Sequence, residues 1–364
     1  MPDFIPSLDL NEQFFHEILA PLMAEKFPDL TYAAARLGDG SDVLGYDTEI
    51  STDHDWGIRM QLFLDETEID DWKTAVFNTL RTELPAQYKA FPVHFVAADE
   101  QGVRVAVDEH DGPVDHRITI TTIRQFVKKQ VNIDPYQPLD AIDWLTIPQQ
   151  FLLTITKGRL FADPENKLAE FRDKFAYFPN DVWLYLMAMQ WGRMGEEEHF
   201  VGRTGIVGDE IGSALLASRL VHDMMSLCFL MEKQYAPYAK WFGTAFNRLD
   251  LATGLHPIFA QILAATDWQT RQKWLCKGYS ALAERHNGLG ITEPLATACG
   301  SFFDRPFQVL YAGRFQAALM EKITDSRLLS IDSQMGSIDQ ISDNTQLKSY
   351  PHLHRRLRVL YGAS

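Results

Sequence analysis

Leu37-Gly38-Asp39-Gly40-Ser41-Asp42-Val43-Leu44-Gly45-Tyr46-Asp47, followed by Ser51-Thr52-Asp53-His54-Asp55-Trp56, is the stretch on which the N-terminal fold turns. Eleven residues separate Ser41 from Asp53. Asp53 and Asp55 are two apart, so on a strand their side chains share a face. Two carboxylates on one face make a hard-oxygen site suited to Mg²⁺. The glycine turn upstream leaves room for a phosphate to approach the backbone.

Working outward, residues 31–37 are expected to form the first strand, leading into the 38–41 turn. Residues 54–64 are expected to form the second. Ile58, Met60, Leu62 and Leu64 share one of its faces, and Asp53 and Asp55 take the opposite parity at its start. Upstream, residues 10–27 place Phe14, Phe15, Ile18, Leu19 and Leu22 on one side of a helix that Pro28 ends. Residues 68–84 read as a helix closed by Pro85, and 93–97, 103–107 and 118–123 as short strands. From about Asp140 long helical segments dominate, such as 206–234 and 257–285, and Pro135 and Pro138 mark a linker. The expected fold is α+β, with a mixed sheet and its helices over 1–135 and a large all-helical domain over 140–364. The polar segment 330–343 reads as a surface loop or clamp.

Hydrophobic content of 46% and charged content of 23% are ordinary for a globular chain. No stretch reaches the roughly 20 apolar residues that span a bilayer, and the N-terminus lacks a basic region and a signal-peptide core, so a cytoplasmic protein with no membrane partner is expected. Cys228, Cys276 and Cys299 show neither a zinc spacing nor a disulfide framework and read as buried structural thiols. The net charge of −15 is uneven: residues 1–135 hold 25 Asp and Glu against 11 Lys and Arg. An acidic half argues against gripping a nucleic-acid backbone, and it suits a metal site or a cationic substrate.

A nucleotidyl transfer needs metal ions, a cradle for the phosphates and a base for the acceptor proton. Asp53 and Asp55 are candidates for the metals, Gly40 and Ser41 for the cradle. His54 faces the other way and reads as a packing or hydrogen-bonding residue. Trp56 is read either as lining a cleft or as core. Lys240, among the aromatics of Tyr235-Ala236-Pro237-Tyr238, and Arg203, in the glycine loop 200–205, are candidates to reach triphosphate oxygens. Arg219 and Asp223, four apart, read as a structural pair. Glu196-Glu197-Glu198 reads as a solvated face or cap, and the basic run 354–358 as a helix surface.

Gly40-Ser41 … Asp53-His54-Asp55-Trp56 resembles the signature of the nucleotidyltransferase superfamily that includes DNA polymerase β and the aminoglycoside and lincosamide nucleotidyltransferases. The longer strings 40–47, 51–57, 143–150 and 235–242 look more specifically like an uncharacterised bacterial family of that fold. The resemblance implies ATP or another nucleoside triphosphate with Mg²⁺. It also implies a helical domain that closes the cleft, phosphates held by Gly40 and Ser41, and metals on Asp53 and Asp55. It further implies a third carboxylate from a neighbouring strand. The strand 116–122 holds no acid, and Asp115, just before it, is the choice. The activity expected is transfer of a nucleoside monophosphate, AMP first, to a hydroxyl of an unidentified acceptor on a small molecule or protein. A nucleotide-binding regulatory module and a toxin–antitoxin component are the alternatives.

Overall fold

The computed structural model describes residues 3–100, 103–108, 112–331 and 335–362. The chain divides into two compact units, Met1–Pro138 with Phe151–Ala176, and Leu139–Gln150 with Tyr177–Ser364. Residues 151–176 belong to the first unit and add a strand to its sheet.

The first unit runs through α1 (Ser7–Phe14), α2 (Ala20–Lys26), β1 (Ala33–Arg36), β2 (Arg59–Phe63) and α3 (Ile69–Glu83). Two-residue strands β3 (Gln87–Tyr88) and β4 (Phe91–Pro92) follow, then β5 (Arg117–Thr121) and α4 (Ile123–Val131). After α5 (Ala141–Thr146) and α6 (Gln149–Thr156), the chain adds β6 (Arg159–Ala162) and α7 (Lys167–Asp173). The sheet order is β5-β2-β1-β6, with β2 and β5 parallel and β1 antiparallel to both its neighbours. Alternation sets the faces. Met60, Leu62, Ile118 and Ile120 join Leu10, Phe14, Met23, Val76 and Leu80 of the helices in one core. Phe63, of opposite parity, meets Phe126 of α4 edge-on with ring centroids 5.5 Å apart.

Three expectations change here. The N-terminal helix is interrupted by a π-turn over Phe15–Leu19. Pro21 has no N–H for the carbonyl four residues back and crowds it, and a wider turn relieves both. The segments 93–97 and 103–107 reduce to a single bridge, Phe95 to Ala106. Most consequentially, β2 begins at Arg59 and not at His54. A capping box between Thr48 and Ser51 turns Glu49–Asp53 into a 3₁₀ helix, and Asp55 sits at φ 45°. Asp53 and Asp55 are therefore not on a strand and do not share a strand face.

The second unit packs α8 (Asn180–Glu197), α9 (Phe200–Ile206), α10 (Glu210–Met231), α11 (Ala239–Phe246), α12 (Ala252–Ala264) and α13 (Trp268–Gly288). The hairpin β7 (Gly300–Ser301) and β8 (Gln308–Val309), then α14 (Gly313–Met320), α15 (Ser326–Leu329) and α16 (Ile338–Ile341), follow. α8 is buried along nearly its whole length. Trp191 stacks on Phe315 of α14 at 4.4 Å. Gly195 lets that helix approach, because a Cβ there would lie 2.7 Å from the Gly313 nitrogen. The expected helices 206–234 and 257–285 are each cut by an aspartate cap: Asp209 accepts from Gly212 N at 2.8 Å and Asp267 from Thr270 N at 2.8 Å. α10 is long and apolar enough by length and composition to cross a membrane, with 56% of its most apolar window buried.

Sequence-level surface assignments in this unit also change. Within the segment 330–343, Ser337 and Ile338 are buried, the Arg193 guanidinium donates to the Gln340 carbonyl at 2.6 Å, and residues 332–334 lie outside the described residues. The basic run is not a plain surface, since Arg355 and Arg358 both donate to Asp143, at 3.0 and 2.6 Å.

Candidate functional site

At one end of the sheet each strand carries an arginine. Arg59 lies opposite Arg117 on the parallel pair, and Arg36 lies opposite Arg159 on the antiparallel one. The 38–41 turn leaves β1 at this end. Arg36, buried, curls back over the turn: its Nε donates to Asp42 at 2.7 Å and its Nη2 to the Asp39 carbonyl at 2.7 Å. Asp42, buried, also accepts from Arg59 Nη2 at 2.9 Å and from the Ser7 hydroxyl at 3.1 Å. Burial alone would raise the Asp42 carboxyl pKa. The Arg36 and Arg59 charges, with the bonds from Arg36 and Ser7, outweigh it and hold the carboxyl below its usual range. Burial, with the Arg36 charge beside it, pushes Arg59 down to about 10. Arg59 Nε is buried without a hydrogen-bond partner.

Gly40 is required at its place. Its φ is +143°, and a Cβ would run into Asp42 Oδ1 and the guanidiniums of Arg59 and Arg36. The Gly38 N–H donates to the Thr154 carbonyl at 2.9 Å. Among the described residues the N–H groups of Asp39, Gly40 and Ser41 have no acceptor within the chain. Three such donors along one turn, beside guanidiniums, are the kind of groups that could hold an anion.

Each predicted carboxylate already has a partner of its own. Asp53 ends the 3₁₀ helix, exposed, with His54 Nδ1 at 2.8 Å. Asp55 carries an ion pair with Arg117, and its N–H donates to the Arg104 carbonyl at 2.9 Å. Asp115 pairs with the Arg104 side chain, and Phe95 N donates to its carbonyl at 3.0 Å. Arg104 thus links Asp55 and Asp115, but each acid is matched by an arginine. Trp56 is core: it is buried, tilted on Phe91 at 5.5 Å, and its Nε1 donates to Asp47 at 3.1 Å.

Residues 144–242 match the model of a domain of unknown function (DUF4037). No curated protein matches the chain. Among solved structures the chain is similar to a nucleotidyltransferase-like protein from Exiguobacterium sibiricum 255-15, at 11% identity, over 96% of this chain and 88% of that one, with a TM-score of 0.36.

The matched stretch contains Arg203 and Lys240, both in the second unit. Arg203 is exposed on α9, a helix and not a glycine loop. Lys240 is exposed at the start of α11, its Nζ 5.1 Å from the Trp241 ring. The same unit holds a polar cavity of about 100 Å³ between α8, α10 and α16 that no motif announced. Asp223 lies in its wall and pairs with Arg193 at 3.0 Å, not with Arg219, which pairs with Glu197.

Proposed function

We propose that the first unit binds a nucleoside triphosphate, ATP first, with its phosphates on the amides of Asp39, Gly40 and Ser41 and the Arg59 and Arg117 guanidiniums beside them. The unbonded N–H groups of Asp39, Gly40 and Ser41 carry this reading. They give three donors on one turn, and the arginine row supplies positive charge within an acidic unit. The finer activity is transfer of AMP to a hydroxyl acceptor. The acceptor oxygen would bond to the α-phosphorus, pyrophosphate would leave, and a base would take the hydroxyl proton. The Gly-Ser turn supports it.

Mg²⁺ would ask for gathered carboxylates. Asp55 and Asp115 are instead paired with Arg117 and Arg104, and among the described residues no group of three acids, histidines or cysteines stands together. The residues do not fit the ion in this arrangement, and no step is routed through it. Those ion pairs favour a module that binds nucleotide without turnover.

One substitution separates the two readings. In a binding module Asp55→Asn frees Arg117, and metal-free ATP binding tightens by about two- to fivefold in calorimetry. In a metal-dependent transferase the same change abolishes pyrophosphate release. No binding of ATP, GTP, CTP or UTP by the wild type would remove both.

A further inference from the structure

Two thiols of the second unit meet although they lie 23 positions apart in the chain. Cys276 lies within α13 and Cys299 immediately precedes β7. Neither is in a disulfide. The Cys299 thiol donates toward the Cys276 carbonyl oxygen at 4.0 Å and also lies within hydrogen-bonding reach of the Cys276 sulfur. Both are half-buried at the lip of an open depression that Lys277, Ser280 and Glu284 also line, so a small solute reaches them. Cys228, in contrast, is fully buried in α10.

We propose that Cys276 and Cys299 form a reversible disulfide by exchange with low-molecular-weight disulfides. The hydrogen bond from Cys299 lowers the Cys276 thiol pKa against the opposing effect of burial, and that bond, with burial, raises Cys299. Cys276 is therefore the attacking thiolate and Cys299 the resolving thiol. In the first step the Cys276 sulfur bonds to one sulfur of the small disulfide, whose other half leaves as a thiol. In the second, Cys299 loses its proton and attacks the Cys276 sulfur, releasing the remaining half as a second thiol. Two protein thiols are oxidised and one small disulfide is reduced to two thiols. The product ties α13 to the stretch entering the β7–β8 hairpin.

The test uses the full chain and oxidised glutathione, followed by denaturation, maleimide blocking and intact-mass and peptide analysis. The expected wild-type product has lost two hydrogens, carries one maleimide on Cys228 and no glutathione, and contains a 276–299 cross-linked peptide that dithiothreitol reverses. Cys299→Ser is expected to stop at a glutathione adduct on Cys276. A wild type that keeps three blockable thiols overturns the proposal. So does one that accumulates the glutathione adduct, or that cross-links through Cys228 or between two chains.

Discussion

Asp42→Ala is expected to destabilise the first unit by about 3–5 kcal/mol, the usual cost of stranding a buried charge. The Asp42 carboxylate faces two guanidiniums and the Ser7 hydroxyl from a position that is 1% exposed. Arg36 is itself 2% exposed and cannot swing into solvent without leaving the carbonyls of Leu37 and Asp39. Removing the acid therefore leaves the buried Arg36 and the half-buried Arg59 without their shared anion. The pH behaviour has a definite sign. The folded carboxyl titrates below its ordinary value, so its contribution is complete above about pH 4 and is lost as pH falls through the lower folded pKa. Urea unfolding followed through Trp56 and Trp72 reads both effects. An Asp42→Ala midpoint equal to the wild type's, or an acid limb of unchanged steepness, would refute this account of the turn.

The parts of the fold set by periodicity were legible. The helix at Ile69–Glu83 falls within its expected segment because its apolar spacing matches 3.6 residues, and the strand at Ala33–Arg36 falls within 31–37. The start of β2 was not, because alternation continues formally back to Asp53. Two local devices override it: the Thr48–Ser51 capping box and the left-handed Asp55. The candidate site was half legible. Gly40 and Ser41 stand out by residue type, since only glycine fits that φ. The arginines were passed over because each looks ordinary within its own strand. Their meaning depends on register, which sets Arg59 beside Arg117 and Arg36 beside Arg159. Asp42 lay inside the quoted motif, but burial against two cations is a property of the folded sheet end. In the second unit Glu198, within an acidic triplet, was read as solvated. It is buried because β8 and the stretch after it pass over the end of α8.

Glu198 gives the clearest pH dependence. Its two oxygens accept from Leu310 N at 2.6 Å and Ala312 N at 3.0 Å, at 6% exposure. Burial pushes its pKa from 4.5 up to about 7, against the opposing backbone bonds and the Arg314 charge. Between those two values the folded chain holds a proton that the unfolded chain has released. Stability therefore falls as pH rises through this window, by about 3 kcal/mol in all, and levels off above it. His286 works the other way. Burial pushes its pKa from 6.5 down to about 4, so the unfolded chain binds the extra proton between those values and stability rises with pH. The two slopes oppose each other in the wild type from about pH 4.5 to 6.5. The decisive quantity is therefore the difference between wild type and Glu198→Gln, in which His286 cancels. Relative to the glutamine variant, wild-type stability measured by urea unfolding should drop by about 3 kcal/mol from pH 4.5 to 8, most of it before pH 7. A constant difference over that range would mean that Glu198 titrates alike in both states and that its burial carries no electrostatic cost.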